Sequence, residues 1–431
     1  MKNAAVICEY NPFHNGHAYQ LSYMRERLGA ENIIAVMSGN FVQRGEPAVF
    51  DKYIRTEMAL SSGADLVIEI PAVFSSASAS EFASAGVNAV FRSGIADMLC
   101  FGVEGGMDID KLKAANDMRS ALHDDNAFND TVKAFLKKGL SYPAAVSESL
   151  KAVLSIPEGK PELTEDFFLP NNILASEYIK AAEKCSEIYG RSLDLHAISR
   201  TDAGYSEAAI PKGGSCYASA TALRKIILAG RRNRRSEFEE NAAGSGSDPE
   251  HELLRFIPDE AASLYGRYGL INDAVSCDDI SGILNLRILD AVRNNTDLTA
   301  YLDVSREISD RLINMSGELL SFSERASRLK TRQYTLSRIR RALLHITLGI
   351  TVESFEQRKS SGYITYIRVL GFRRSAADSG LLRQLKDNST VPVVTKPADF
   401  KELIAEDVYC DQIYYSIKNK TGEYFRSPVM I

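Results

Sequence analysis

The sequence predicts a doubly wound α/β fold with a parallel sheet, followed by a mainly helical region and a small α/β region at its C-terminal end. Three observations carry this. Short apolar runs bounded by turn residues recur through roughly the first 200 residues, as Ala4–Ile7, Asn32–Met37, Asp65–Ile70, Ala96–Val103 and Ser192–Ile198. Segments with apolar residues at helical spacing separate them, the alternation of a parallel sheet. The 431 residues, 45% of them hydrophobic, supply core material for two or three domains.

The first strand, Ala4–Ile7, runs into Cys8-Glu9-Tyr10-Asn11-Pro12-Phe13-His14-Asn15-Gly16-His17, and Ala18–Met24 continues as a helix. A polar motif thus sits at the carboxyl end of a strand, where open α/β sheets bind ligands. A helix N-terminus offers unpaired N–H groups and the positive end of a dipole, which attract phosphate. Imidazole nitrogens donate to the same oxygens, and Gly16 lets a base or ribose approach the backbone. Asn11-Pro12 sets a turn before the first histidine. With 6 His and 28 Gly, one His-x-Gly-His is expected by chance about 0.005 times.

The second strand, Asn32–Met37, ends in Ser38-Gly39-Asn40, and the loop beyond carries Gln43, Arg44 and Glu46, either solvated or facing substrate. A helix over Lys52–Ser62 puts Ile54, Met58 and Ala59 on one face, and Gly63 ends it. The third strand stops at Pro71, and Phe82, Ala85 and Val90 mark a helical face. The fourth strand closes near Gly102. Residues from about 107 to 165 read as a polar, helical insertion. Leu169-Pro170-Asn171-Asn172 opens a helix that either asparagine can cap. The fifth strand holds His196, read as structural, and ends at Ser199-Arg200, which puts Arg200 where phosphate would lie. Ser219 caps a further helix whose first amides can hold phosphates, with Arg224 about one turn on.

The polar Gly/Ser stretch around 242–249 marks a boundary. The pattern from 250 to 350 is helical and carries a basic run, Arg325, Arg328, Lys330, Arg332, Arg338, Arg340 and Arg341, with Tyr334 among them. Charge runs are usually solvated faces, but one sign and an aromatic suit RNA phosphates and base stacking. Strands are expected at Ile364–Leu370 and Val391–Val394, the second restricted to an edge by Pro392. The expected domains are therefore 1–235, with the insertion at about 107–165, then 250–350 and 351–431.

Bulk properties narrow the function. A net charge of −5 gives no overall attraction to nucleic acid, so any RNA contact must use a local patch. The six cysteines, Cys8, Cys100, Cys185, Cys216, Cys277 and Cys410, form no CxxC pair, which argues against zinc and for reduced thiols in the cytoplasm. No signal-peptide pattern and no apolar run of membrane-spanning length is present.

His14-Asn15-Gly16-His17 resembles the HxGH motif of the nucleotidyltransferase superfamily, shared with class I aminoacyl-tRNA synthetases. Ser219, Thr221 and Arg224 resemble that superfamily's Ser-x-Thr-x-x-Arg signature. The longer run from Cys8 to His17, taken with Ser38–Pro47, is similar to the bacterial tRNA(Met) cytidine acetate ligase family. The resemblance covers essentially the whole chain and is densest to about residue 230; Gln20 stands where many members have histidine. It implies a Rossmann-like nucleotidyltransferase domain in which acetate attacks the α-phosphate of ATP to give acetyl-adenylate. The acetyl group then passes to N4 of the wobble cytidine of elongator tRNA(Met), giving N4-acetylcytidine. It implies His14 and His17 as catalytic residues. It implies ATP contacts along Ile7, Cys8, Glu9, Tyr10, Asn11, Pro12, Phe13, His14, Asn15, Gly16, His17, Ala18, Tyr19 and Gln20. Further contacts would come from Gly102, Asn171 or Asn172, Arg200, Ser219, Thr221 and Arg224. Mg²⁺ is the expected companion of ATP, with no protein metal ligands assigned. The basic run is the expected tRNA surface. Two alternatives stand beside this reading. A small-molecule adenylyltransferase of coenzyme synthesis would use the same motif but leaves the long C-terminal part unexplained. A non-catalytic RNA-binding protein has no use for intact His14, His17, Ser219, Thr221 and Arg224.

Overall fold

The first strand, β1 (Asn3–Cys8), is buried along its whole length and pairs in parallel with β2 (Asn32–Ser38). A strand covered on both faces reads as a continuous apolar run, which is how these two stand out in the sequence. The structure is a computed structural model that describes residues 2–122, 125–138, 140, 145–146, 148–149, 152, 165–199, 217–239, 249–331, 334–418 and 426–431. Arg200, Cys216 and Arg332, and much of the expected insertion, lie outside the described residues.

The chain forms two compact units, residues 1–96 with 204–431, and residues 97–203. In the first unit, β1 leads into helix α1 (Asn15–Glu26). A short antiparallel hairpin, β3 (Phe41–Val42) and β4 (Glu46–Pro47), follows β2 where a loop was expected. Helix α2 (Lys52–Ser61), capped by Asp51, leads to β5 (Leu66–Ile70) and then to α3 (Ala79–Ser93). Later come α4 (Ala220–Glu239), α5 (Phe322–Leu329), α6 (Leu336–Leu348) and α7 (Ala405–Ser416). The sheet of this unit runs β10-β8-β5-β2-β1, where β8 is Ile367–Phe372 and β10 is Val429–Met430. It is parallel except where β8 lies antiparallel to β5, and β9 (Val393–Val394) adds to β8 alone. The strand expected near 364–370 therefore completes the N-terminal sheet, and the compact units divide the chain differently from the three regions expected.

One buried charge cluster ties the distant segments of this unit together. Lys52 Nζ lies 2.9 Å from Glu69 Oε1 and pairs with Asp411. Arg368 on β8 reaches Glu69 Oε2 at 3.4 Å and Asp411 Oδ2 at 3.2 Å. Asp411 also accepts from Asn40 Nδ2 at 2.8 Å. Two cations and two anions with shared hydrogen bonds meet the condition for burying charge, each one paired.

In the second unit, β6 (Met98–Val103) pairs in parallel with β7 (Asp194–Ser199). The Pro170–Tyr189 helix has Leu169 at its N-cap and Pro170 at its first position. Neither Asn171 nor Asn172 caps it, because proline is already shaped for that first turn and both asparagines are engaged elsewhere. Among the described residues, no helix is long and apolar enough to cross a membrane.

Candidate active site

The HxGH residues build their own helix start. His14 is the N-cap of α1; its Nδ1 accepts from Gly16 N–H at 3.1 Å, while His17 Nδ1 accepts from His14 N–H at 3.3 Å. This is a capping box in which two imidazoles replace the usual hydroxyl and carboxylate. The rings stack, with centroids 3.7 Å apart and planes at 21°. Each Nδ1 acts as an acceptor, so each neutral ring carries its proton on Nε2, the tautomer that donates to a phosphate oxygen. Gly16 suits this packing: a Cβ there would stand 3.0 Å from His14 Cε1, so the ring would have to shift.

The amides of the first turn do not play the part expected of them. Asn15 N–H donates to Phe256 O at 2.9 Å, Gly16 N–H to the His14 ring, and His17 N–H to His14 O at 2.9 Å. The helix amides are thus spent on the fold, which leaves the histidine rings as the distinctive polar groups of this end.

The loop from β1 to α1 is held from below. Tyr10 takes a positive φ of 48° and packs between Phe13 and His17, each with ring centroids 4.8 Å from its own; the Asn11–Pro12 peptide is cis. The side chains of Ile7, Cys8, Tyr10, Asn11, Pro12, Phe13 and His14 are buried, Glu9 is half-buried with its carboxylate turned inward, and those of Asn15, His17, Ala18, Tyr19 and Gln20 reach the surface. Arg55, absent from the sequence reading, is fully buried and donates to Phe50 O at 3.0 Å, Glu9 O at 2.6 Å, Ser38 O at 3.1 Å and Gly39 O. It fastens the ends of β1 and β2 together, and burial lowers its pKa. Its only hint in the sequence is a charge at the start of a helix, indistinguishable there from a solvated one.

Around this loop lie the residues of the late signature. Ser219 Oγ accepts from Ala222 N–H at 3.1 Å and so caps α4. Arg224 donates to Asn11 O at 2.7 Å and to Thr221 Oγ1 at 3.2 Å, and its Nε stands 3.3 Å from Glu46 Oε1. The structure therefore brings Arg224, Thr221 and the HxGH loop together. Burial pulls the Arg224 pKa down; Glu46 opposes this, while Arg44 and Arg340 add to it. Glu9 accepts from Gln43 N–H at 2.8 Å, and burial leaves its carboxyl raised in spite of that bond and of Arg224 and Arg44.

In the second unit, Gly102 lies half-buried on β6. Asn172 is fully buried, accepting from Glu104 N–H at 2.9 Å and donating to Glu104 O at 3.0 Å and Asp166 O at 2.7 Å, which makes it a structural tie. Asn171 is half-buried and donates to Glu104 Oε1 at 2.6 Å.

The basic run separates into different roles. Arg325 is 1% exposed and donates to Asn285 Oδ1, Glu318 O and Met315 O; it braces the helices and cannot belong to a surface patch. Arg328 pairs with Glu318 and Glu324, and Arg341 with Asp303. Lys330 and Arg338 are exposed, and the Arg338 guanidinium lies 5.0 Å from the centre of the Tyr334 ring. Lys330, Thr331, Tyr334 and Thr335 line an open recess beside it.

Residues 1–426 match a family model described as HIGH nucleotidyl transferase. The chain is 33% identical over 416 residues to the tRNA(Met) cytidine acetate ligase of Thermoanaerobacter sp. strain X514, covering 95% of this chain and 94% of that protein. It is 32% identical to the ligase of the same name from Clostridium perfringens, covering 100% of both. In structure it is similar to Thermotoga maritima TmcAL bound with alpha-thio ATP, with a TM-score of 0.77, 27% identity and 100% of both chains covered. The apo form of that protein gives a TM-score of 0.79 at 28% identity, again over 100% of both chains.

Proposed function

Because the chain belongs to the HIGH nucleotidyl transferases, and within them to the tRNA(Met) cytidine acetate ligases, we propose that it activates acetate with ATP and acetylates the wobble cytidine of elongator tRNA(Met). The observation that carries this reading is the histidine capping box, which sets two Nε2–H donors side by side at the end of β1.

A carboxylate oxygen of acetate attacks the α-phosphorus of ATP. The bond from that phosphorus to the bridging oxygen breaks, and pyrophosphate leaves. The protein needs no covalent nucleophile; it aligns the reactants and stabilises the charge that builds on the phosphoryl oxygens. His14 and His17 donate to those oxygens. Arg224, fixed by Asn11 O and Thr221, faces the departing pyrophosphate. The family resemblance assigns further ATP contacts to Gly102, Asn171 and Arg200. Mg²⁺ bound to the triphosphate would neutralise part of its charge. In the second half-reaction the N4 amine of the cytidine attacks the acetyl carbonyl, the carbon–oxygen bond to AMP breaks, and the amine gives up a proton. Lys330 and Arg338, with Tyr334 between them, are the surface that takes the tRNA. The work is cytoplasmic, where ATP, tRNA and reduced thiols are found together.

The test is acetate-dependent ATP–pyrophosphate exchange, followed by nucleoside analysis of tRNA for N4-acetylcytidine. His14→Ala and His17→Ala each lower exchange by at least about 100-fold while tRNA binding persists. Near-normal exchange in both would refute the site.

A further inference from the structure

The hairpin after β2 is not a solvated loop. Its Gln43 N–H holds Glu9, and its Arg44 Nη1 stands 3.4 Å from Thr221 Oγ1. Its turn is pressed onto α6: Gly45 has a φ of +77°, and a Cβ there would lie 2.4 Å from Arg341 N and 2.6 Å from the Arg340 carbonyl carbon. Glycine is the residue that permits both the backbone conformation and the approach. The next residue, Glu46, divides its carboxylate. Oε1 is 3.3 Å from Arg224 Nε, and Oε2 is 3.4 Å from Arg340 Nη1.

In the sequence Arg340 belongs to the basic run expected to meet tRNA. In the fold it faces the same carboxylate as Arg224, and its charge is one of those felt by Arg224. Among the described residues, Arg44, Arg224 and Arg340 are gathered around Glu9 and Glu46. Their hydrogen-bonding capacity is partly unspent. Among the described residues, Arg340 Nε is buried with no hydrogen-bond partner, and Glu46 Oε1 makes an ion contact without a hydrogen bond. Like charges gathered around one carboxylate repel, and a buried donor without an acceptor is costly. Both costs are relieved by an anion that carries several charges and many acceptor oxygens, and arginine recognises phosphate oxygens with paired donors.

We propose that Arg340 belongs to the adenylation site: with Arg224 it forms a two-arginine clamp for the polyphosphate of ATP and for pyrophosphate, and Glu46 is the positioning residue that holds the pair together. This rests on the reading of Arg224 as a polyphosphate residue. It makes α6 a shared element, with Arg340 serving the first half-reaction and Arg338 the second.

The experiment uses the full chain and inorganic pyrophosphate as the probe. KM for pyrophosphate and for ATP is measured in acetate-dependent exchange, and tRNA binding is measured across a salt series, for Arg340→Ala, Arg340→Lys and Arg224→Ala. The expected result is a rise of tenfold or more in KM for pyrophosphate in Arg340→Ala, partly recovered in Arg340→Lys, with the salt slope of tRNA binding equal to that of the unaltered chain. An unchanged KM together with a shallower salt slope would return Arg340 to the tRNA surface and overturn the proposal. A fall in melting temperature with weakening of both functions, unrelieved by lysine, would make it a brace and overturn the proposal too. Arg224→Ala separates the levels: if its KM is also unchanged, the reading of Arg224 fails; if only Arg340→Ala is silent, the clamp alone fails.

Discussion

Arg55 carries a full charge into the interior and spends it on four carbonyl oxygens at the ends of two strands and the loop before its own helix. Removing it leaves buried acceptors unpaired, each costing about 1–3 kcal/mol. Arg55→Leu should therefore lower stability by about 3 kcal/mol or more, read as a lower denaturant midpoint at constant m-value. Arg55→Lys, with a single nitrogen to offer, should fall between the two. The contrast with the histidines shows what the chain discloses residue by residue. His14 and His17 act on each other across three positions, so their pairing and the strand before them can be read directly. The acceptors of Arg55 lie up to 46 residues away, and no local pattern separates such an arginine from a solvated one. Asn172 shows the same effect in reverse. Its sequence position suits a cap or a nucleotide ligand, but it is consumed by Glu104 and Asp166.

The stretch from α5 to α6 carries the same lesson for elements. Its helices are evident from apolar spacing, and its positive charge from composition. Apart from Glu324 on α5 itself, the opposing carboxylates come from elsewhere: Glu318 before α5, Asp303 earlier still, and Glu46 from the N-terminal hairpin. The hairpin itself is invisible in the sequence because each strand has two residues, too few for alternation to register. With Arg325 buried and Arg328 and Arg341 paired, the exposed cations of the run that face no carboxylate among the described residues are Lys330 and Arg338, beside Tyr334. Charge reversal of Lys330 and Arg338 together should weaken tRNA binding and flatten its log–log salt dependence by about 0.7 for each phosphate no longer neutralised. Binding titrations across a wide range of salt concentrations, with a thermal melt on the same preparation, check this. An unchanged slope with an intact melt would place the tRNA elsewhere.

The two ends of the chain are built into one core. β8 covers the edge of β5, and Asp411 on α7 shares Lys52 with Glu69. A chain ending at residue 350 would keep every motif of the nucleotide site in its first unit. It would lack Arg368 and Asp411, however, and would leave the β5 edge unpaired. Breaking such a buried ionic cluster costs about 3–5 kcal/mol, a large part of the stability of an ordinary domain. The truncated chain should show no cooperative melt and no pyrophosphate exchange, even though His14, His17 and Arg224 are all present. A folded, active fragment would contradict the role given to these last strands.

That closure has a consequence in time. The histidine loop leaves the ribosome well before the strand that seals its sheet, because β8 follows β5 by roughly 300 residues. At synthesis rates of about 5–20 residues per second, that is about 15–60 seconds of waiting. Throughout that interval β5 presents an open edge, and Lys52 and Glu69 lack half of their partners. The nascent chain thus makes its histidine loop long before the elements that close the sheet beside it, and no ribosome-bound chain short of α7 can hold the completed charge cluster.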